Sequence, residues 1–298
     1  MKSNRENLGC LLNKAAALLC FIAAFSLPGS LAGAADRAEN YDDWEPEGRR
    51  SAEPSTQKTV PLPGFKEFSV AVRNLSSPVG SASEKAEFYL NRAGKLMDYG
   101  LYQEAAKDLK TAAPLLPPGD HRAMVSLARC YFCLHDYSQT LWTAAKILAK
   151  NKNSPEGHAL RALGHFDQPR RAIKECDRAI LLSPDKAWFY VARARINQGN
   201  NQGWKESIED CSKALSLDKE SLDARLFRAR GYLQESKYDQ ALADLNFILS
   251  REPLYFEAYH VRSAVHKKLN RIQFAKNDDY LYRTCRSRMK QIVKENQS

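Results

Sequence analysis

One phrase recurs along this chain and narrows what it can fold into. Tyr238-x-x-Ala241-Leu242-x-Asp244, closed by Pro253, restates Trp204-x-x-Ser207-Ile208-x-Asp210-Cys211-x-x-Ala214-Leu215. Earlier versions read Ala172-Ile173-x-Glu175-Cys176-x-x-Ala179-Ile180-x-x-x-Pro184 and Tyr102-x-x-Ala105-x-x-Asp108-x-x-x-Ala112-x-x-x-x-Pro117. The period is close to 34 residues, room for two helices and their turns. Neither helix of such a pair can bury its apolar stripe alone, so a core forms only when successive pairs stack. An array of this kind presents surfaces rather than a reaction centre. A binding protein is therefore expected, not an enzyme.

Small residues occupy the eighth position of each unit (Ala93, Ala128, Ala162, Ala194, Ala229, Ser263) and the twentieth (Ala105, Ala172, Ser207, Ala241, Ala275), where helix A must approach helix B. Tyr102, Tyr137, Trp204 and Tyr238 open helix B with a large ring, and Pro117, Pro184 and Pro253 end units because proline cannot continue a helix. Together these spacings resemble the tetratricopeptide repeat (TPR) family, from about residue 86 to the C-terminus. The resemblance implies an all-α fold, a right-handed superhelix (α-solenoid) of about six helix-turn-helix repeats with a concave inner face. The repeats fall near 86–119, 121–154, 153–186, 187–219, 222–255 and 256–289. The third is expected to lose about two residues in its A–B turn and the fourth to gain one at 199–203. The second departs most, with Thr140 and Ile147 where small residues are expected.

The flanks read differently. Residues 1–35 have a basic start (Lys2, Arg5, Lys14), an apolar run over 15–27 too short to span a bilayer, and Ala32-Gly33-Ala34 as a cleavage signal. They read as a secretory signal cut near Ala34 or Ala35, which makes the mature protein exported: periplasmic, envelope-associated or secreted. The alternative is a retained N-terminal anchor. Residues 36–83, rich in Pro, Ser and acid, read as a largely disordered linker. One apolar island interrupts it, Phe65-Lys66-Glu67-Phe68-Ser69-Val70-Ala71-Val72. It is either a short strand or a strip that docks on the array, and no second strand is at hand to pair with it. Residues 84–298 form the repeat domain, ending in a basic helix over 280–290 expected to cap the array with a polar face.

A second pattern lies inside the first. Arg92, Arg161, Arg193, Arg228 and Arg262 precede the small residue of helix A, while Asp108, Glu175, Asp210, Asp244 and Asp278 follow that of helix B by three residues. The second repeat has Leu127 and Thr143 instead, so both charges vanish together. That co-occurrence predicts a salt bridge between the helices of five repeats, the guanidinium fork suiting a carboxylate. The alternative is that these arginines grip an acidic ligand.

With that row assigned to structure, another remains. The resemblance implies an inner face lined by particular helix A positions, here Arg129, Arg195, Arg230, His260, Lys267 and Lys268. A basic stripe of this kind would hold an acidic peptide or a C-terminal carboxylate by charge-assisted hydrogen bonds, unless the residues are simply solvated surface charges. The net charge of +10 agrees with acidic partners. The chaperone-tail clamp of the family uses lysine and asparagine where this chain has Leu90 and Gly94, which disfavours that role. A second functional reading is a basic adaptor for an anionic polymer or membrane surface through the C-terminal helix; nucleic acid is not expected.

Of seven cysteines, two precede residue 35. The remaining five are an odd number, which argues against a full disulfide framework. Cys130-x-x-Cys133 falls late in a helix with Tyr131 and Phe132 between, so packing cysteines are expected rather than a redox pair or a zinc site. The histidines lack metal-ligand spacing. No phosphate loop or nucleophile elbow is present, so no cofactor is expected.

Overall fold

A computed structural model of the chain describes residues 80–199 and 203–295. The signal segment, the acidic linker, the island at 65–72 and most of the inserted turn at 199–203 lie outside the described residues. Within them, twelve α-helices follow one another: α1 (Ala82–Asp98), α2 (Tyr102–Ala112), α3 (Arg122–Cys133), α4 (Tyr137–Lys150), α5 (Pro155–Gly164), α6 (Pro169–Leu182), α7 (Ala187–Gly199), α8 (Trp204–Leu217), α9 (Leu222–Gln234), α10 (Tyr238–Arg251), α11 (Phe256–Lys268) and α12 (Ile272–Glu295). Odd-numbered helices are the A helices and even-numbered ones the B helices of six hairpins. Each helix packs on the next. Each A helix also touches the A helix of the following hairpin, which places the A helices on one layer.

The local reasons are visible in the caps. Ser81 starts α1 with a capping box, its hydroxyl accepting from Glu84 N–H while the Glu84 carboxylate reaches back to Ser81 N–H. Ser154 caps α5 ahead of Pro155, which tolerates the first helical position because its missing N–H has no partner there. The A helices of repeats one, two, five and six end alike. The residue just before helix B donates back five residues, at 2.8 Å in each case: Leu101 to Leu96, Asp136 to Tyr131, Lys237 to Tyr232 and Arg271 to His266. This closure needs one left-handed residue, supplied by Gly100 (φ +69°) in the first repeat but by His135, Ser236 and Asn270 in the others (φ 55–59°).

The small residues sit where close approach requires them. All six at the eighth position are fully buried, and those at the twentieth are 0–1% exposed. Two polar members satisfy their hydroxyls across the same contact. Ser263 Oγ donates to the Ala275 carbonyl, and Thr140 Oγ1 reaches the Ala128 carbonyl while bonding Asp136 O at 2.9 Å. Thr140 is thus accommodated in the divergent repeat without an orphaned polar atom.

The two ends of the array meet. Leu96, Leu101, Ala105 and Leu109 of the first repeat share one apolar core with Leu254, Tyr259, Cys285 and Met289 of the last turns, and Leu281 and Tyr282 pack against it. Tyr99 Oη donates to Glu252 at 3.5 Å, and Gly100 lies so close to Phe256 that a Cβ there would come within 3.1 Å of the ring. The six hairpins therefore close into a ring. The C-terminal helix differs from the polar cap expected of it: one of its faces is apolar and turned onto the first repeat, while Arg283 and Arg288 stay exposed.

Candidate binding groove

Each of the five repeat arginines meets its acid. Arg193 donates from Nε and Nη2 to Asp210 at 2.9 and 2.6 Å, Arg228 to Asp244 at 2.8 Å twice, and Arg262 to Asp278 at 2.9 and 2.7 Å. Arg92 forks onto Asp108 in the same way. In the short third repeat Arg161 gives Glu175 one bond of 2.7 Å, and buried His158 adds another of 2.8 Å from Nδ1. The four aspartates are 2–6% exposed, which makes the arginines necessary: a buried carboxylate without a partner is costly. Burial pushes Asp210 upward in pKa, against the hydrogen bonds from Arg193. These arginines are thereby committed to structure.

Inside the ring lies a groove of about 530 Å3, within the range of sites for small ligands and short peptide segments. Met97, Phe132, Leu163, Trp188 and Val191 supply its apolar walls. Arg129 and Arg195 line it. The other groove candidates do not, among the described residues: Arg230 pairs with Glu257 at 3.8 Å, Lys267 with Asp279 at 2.9 Å, His260 stacks near Tyr282 of the closing helix, and Lys268 is exposed at the end of α11.

The groove is also not purely basic. Asp98, Asp218, Glu220 and Asp223 line it too. Tyr255 Oη donates to Asp223 at 2.7 Å, and Arg129 reaches the same carboxylate at 3.9 Å while lying over Trp188. Asp98 is surrounded by protein and by the charges of Asp223 and Glu252, and these push its pKa up to about 6 against the pull of Arg129. Position along helix A could have pointed to Asp98, which stands in the first repeat where Lys268 stands in the last. Asp218 and Glu220 come from the turn before α9 and Asp223 from the first turn of α9, and no spacing in the sequence announces them.

Arg195 is a lining cation held by aromatic rings. Its guanidinium lies between the rings of Phe132 (4.6 Å) and Phe227 (4.9 Å), and its recorded hydrogen bond is a long one to Cys133 Sγ, 3.7 Å. No carboxylate lies within ion-pair distance among the described residues. Cys133 is half-buried at the groove, whereas Cys130 is buried and its thiol is pushed up to about 12. Burial likewise raises Cys176 and Cys211, which suits packing and not nucleophilic chemistry.

Comparison with known proteins places this architecture. A chain of the Cut9–Hcn1 hetero-tetramer of the APC/C superposes with a TM-score of 0.54 over 78% of this chain and 46% of its own, at 11% identity. The chain folds as a tetratricopeptide repeat array. No family model matches it. Curated relatives include a DnaJ homolog subfamily C member 3 homolog of Dictyostelium discoideum, 36% identical over 144 residues, which are 46% of this chain and 28% of the relative. Sperm-associated antigen 1 of Mus musculus is 42% identical over 109 residues, 36% of this chain and 11% of the relative. Hsp70-Hsp90 organizing protein 2 of Arabidopsis thaliana is 21% identical over 214 residues, 67% of this chain and 36% of the relative. The chain thus spans about a third or less of the curated relatives it matches. The TPR fold supports a protein-interaction role.

Proposed function

We propose that this protein is a non-enzymatic adaptor that holds a segment of a protein partner in the groove at the centre of its ring, with an acidic group of that segment on Arg195. The observation that carries this reading is the state of Arg195: a guanidinium clamped between two aromatic rings at the groove, with no carboxylate at ion-pair distance among the described residues. A ligand carboxylate there would form a charge-assisted, forked pair in a partly desolvated site. Aromatic flanks hold the fork in place, so little entropy is lost on binding. Asp98, Asp218 and Glu220 add a requirement for positive or neutral character elsewhere in the segment, which would give specificity by rejecting uniformly acidic ligands.

Two relatives bear chaperone names, but Leu90 and Gly94 occupy first-repeat positions where the chaperone-tail clamp places lysine and asparagine, so that role is not extended to this chain. Export is proposed from the basic, apolar and small-residue succession of residues 1–35. N-terminal sequencing of the protein from its native cells tests it, and a mature chain that still begins at Met1 would refute cleavage. The groove reading is tested by affinity capture with the wild type and with Arg195→Gln, alongside Lys268→Gln as a control outside the groove. Loss of partner at Arg195 alone is expected. Equal capture by all three would exclude Arg195 as the anchor.

A further inference from the structure

The groove has a candidate occupant within the same chain. We propose that the strip at residues 65–72 docks in this groove and holds the partner's place until it is displaced. The inference rests on the reading of the groove as the binding surface.

Reach comes first. The described structure begins at Gly80, and α1 runs from Ala82 to the groove-lining residues Gly94, Met97 and Asp98. Seventeen helical residues cover about 25 Å. The eight residue steps from Val72 to Gly80 span up to about 27 Å when extended, enough to run back along α1 and arrive beside Asp98. The span is close to the tether's full extension, so the segment between Val72 and Gly80 must run extended for the strip to face the groove, which keeps its effective concentration below that of a slack linker.

Chemistry comes second. An extended strip alternates its side chains between two faces. Phe65 and Glu67 then share one face, and Lys66, Phe68, Val70 and Val72 the other. The groove offers apolar walls together with charges of both signs, namely Arg195, without an ion-pair carboxylate among the described residues, and the crowded acids around Asp98. A strip bearing adjacent Lys66 and Glu67 between Phe65 and Phe68 matches that mixture, whereas a uniformly acidic or uniformly basic segment does not. The described elements are all helical, so docking by side chains into the groove is open to this strip where pairing with a described strand is not.

Cys133 provides the readout, being a groove-lining thiol that is only half-buried while Cys130, Cys176, Cys211 and Cys285 are buried. The test uses the full chain and its Phe65→Ser/Phe68→Ser variant, and follows N-ethylmaleimide modification of Cys133 by peptide mapping. A docked strip shields the thiol, so modification in the variant is expected to be at least about threefold faster. A synthetic peptide of residues 60–79 added to the variant is expected to restore protection, and the same peptide with serine at 65 and 68 is not. Equal Cys133 rates in the two proteins would overturn the proposal. Protection that fades on dilution would also overturn it, by assigning the strip to a neighbouring copy. This readout needs no external partner. If Arg195→Gln leaves capture intact while Cys133 protection stands, the partner reading fails and strip docking survives. The converse results separate them the other way.

Discussion

Replacing one member of an Arg–Asp pair should be far more damaging than replacing both, and the chain carries its own control. Asp244 is 4% exposed and accepts two bonds of 2.8 Å from Arg228, with Arg225 at 3.4 Å. Asp244→Thr leaves the guanidinium of Arg228, whose side chain is only 20% exposed, without its acceptor, and Arg228→Leu leaves a buried carboxylate with only the longer contact from Arg225. Breaking a fully buried pair costs about 3–5 kcal/mol, and the partial exposure of Arg228 lowers the expectation to about 2–4 kcal/mol for each single change. The double variant Arg228→Leu/Asp244→Thr copies the second repeat, which holds Leu127 and Thr143 at these positions, with Thr143 bonding the Gln139 carbonyl at 2.8 Å. It should fall within about 1 kcal/mol of wild type, giving a coupling of several kcal/mol in a double-mutant cycle read by urea unfolding at pH 7. Singles costing under about 1 kcal/mol each, and adding in the double, would mean that the pairs behave as exposed salt bridges and would refute their structural role.

Other consequences are open to direct measurement. Burial acts to raise the pKa of Glu175, but the hydrogen bonds from Arg161 and His158 outweigh it and hold the carboxyl below its ordinary value. Its contribution to stability is therefore complete above the unfolded value near 4.3 and lost as pH falls through the lower folded one. Unfolding free energies of wild type and Glu175→Gln should thus converge on acidification, and a constant gap from pH 6 to pH 3 would contradict this. Asp98, raised to about 6, has the opposite sign: its penalty appears as pH climbs from about 4 through 6, so Asp98→Asn should raise Tm at pH 8 and not at pH 4. Ser236 holds φ +59°, and Ser236→Gly should gain about 0.5–1 kcal/mol by relieving the left-handed strain, net of the entropy glycine adds to the unfolded chain. A loss in urea unfolding would show that the Ser236–Tyr238 contact outweighs that strain.

Much of the array could be read from the sequence because each repeat solves the same packing problem with the same residues. Ala93, Ala194 and Ala229 announce a close helix contact three times over, and Leu127 with Thr143 exposes the Arg–acid pairs by lacking both charges at once. The groove was less legible. Its contents depend on how small rotations between repeats accumulate, and no single repeat encodes that sum. Arg129 and Arg195 follow from position in helix A, while Asp218 and Glu220 come from a turn and Asp223 from the start of α9, which only the folded array brings into one groove with α1. The C-terminal helix held a signal that its charge concealed. Leu281, Cys285 and Met289 recur every four residues, an apolar stripe running between Arg283, Arg286 and Arg288.

The contact between the first and last repeats changes the kind of cooperativity open to this molecule. In an open stack the terminal units have one neighbour each, so they fray first and unfolding propagates inward. Here Leu96 and Leu101 rest on the same core as Tyr259 and Met289, so side-chain contacts tie the two terminal units to each other as well as to their sequence neighbours. Loss of either end unit removes two interfaces at once. Amide protection against hydrogen exchange should accordingly be level around the array instead of declining toward its ends. The groove at its centre is then as persistent as the fold itself.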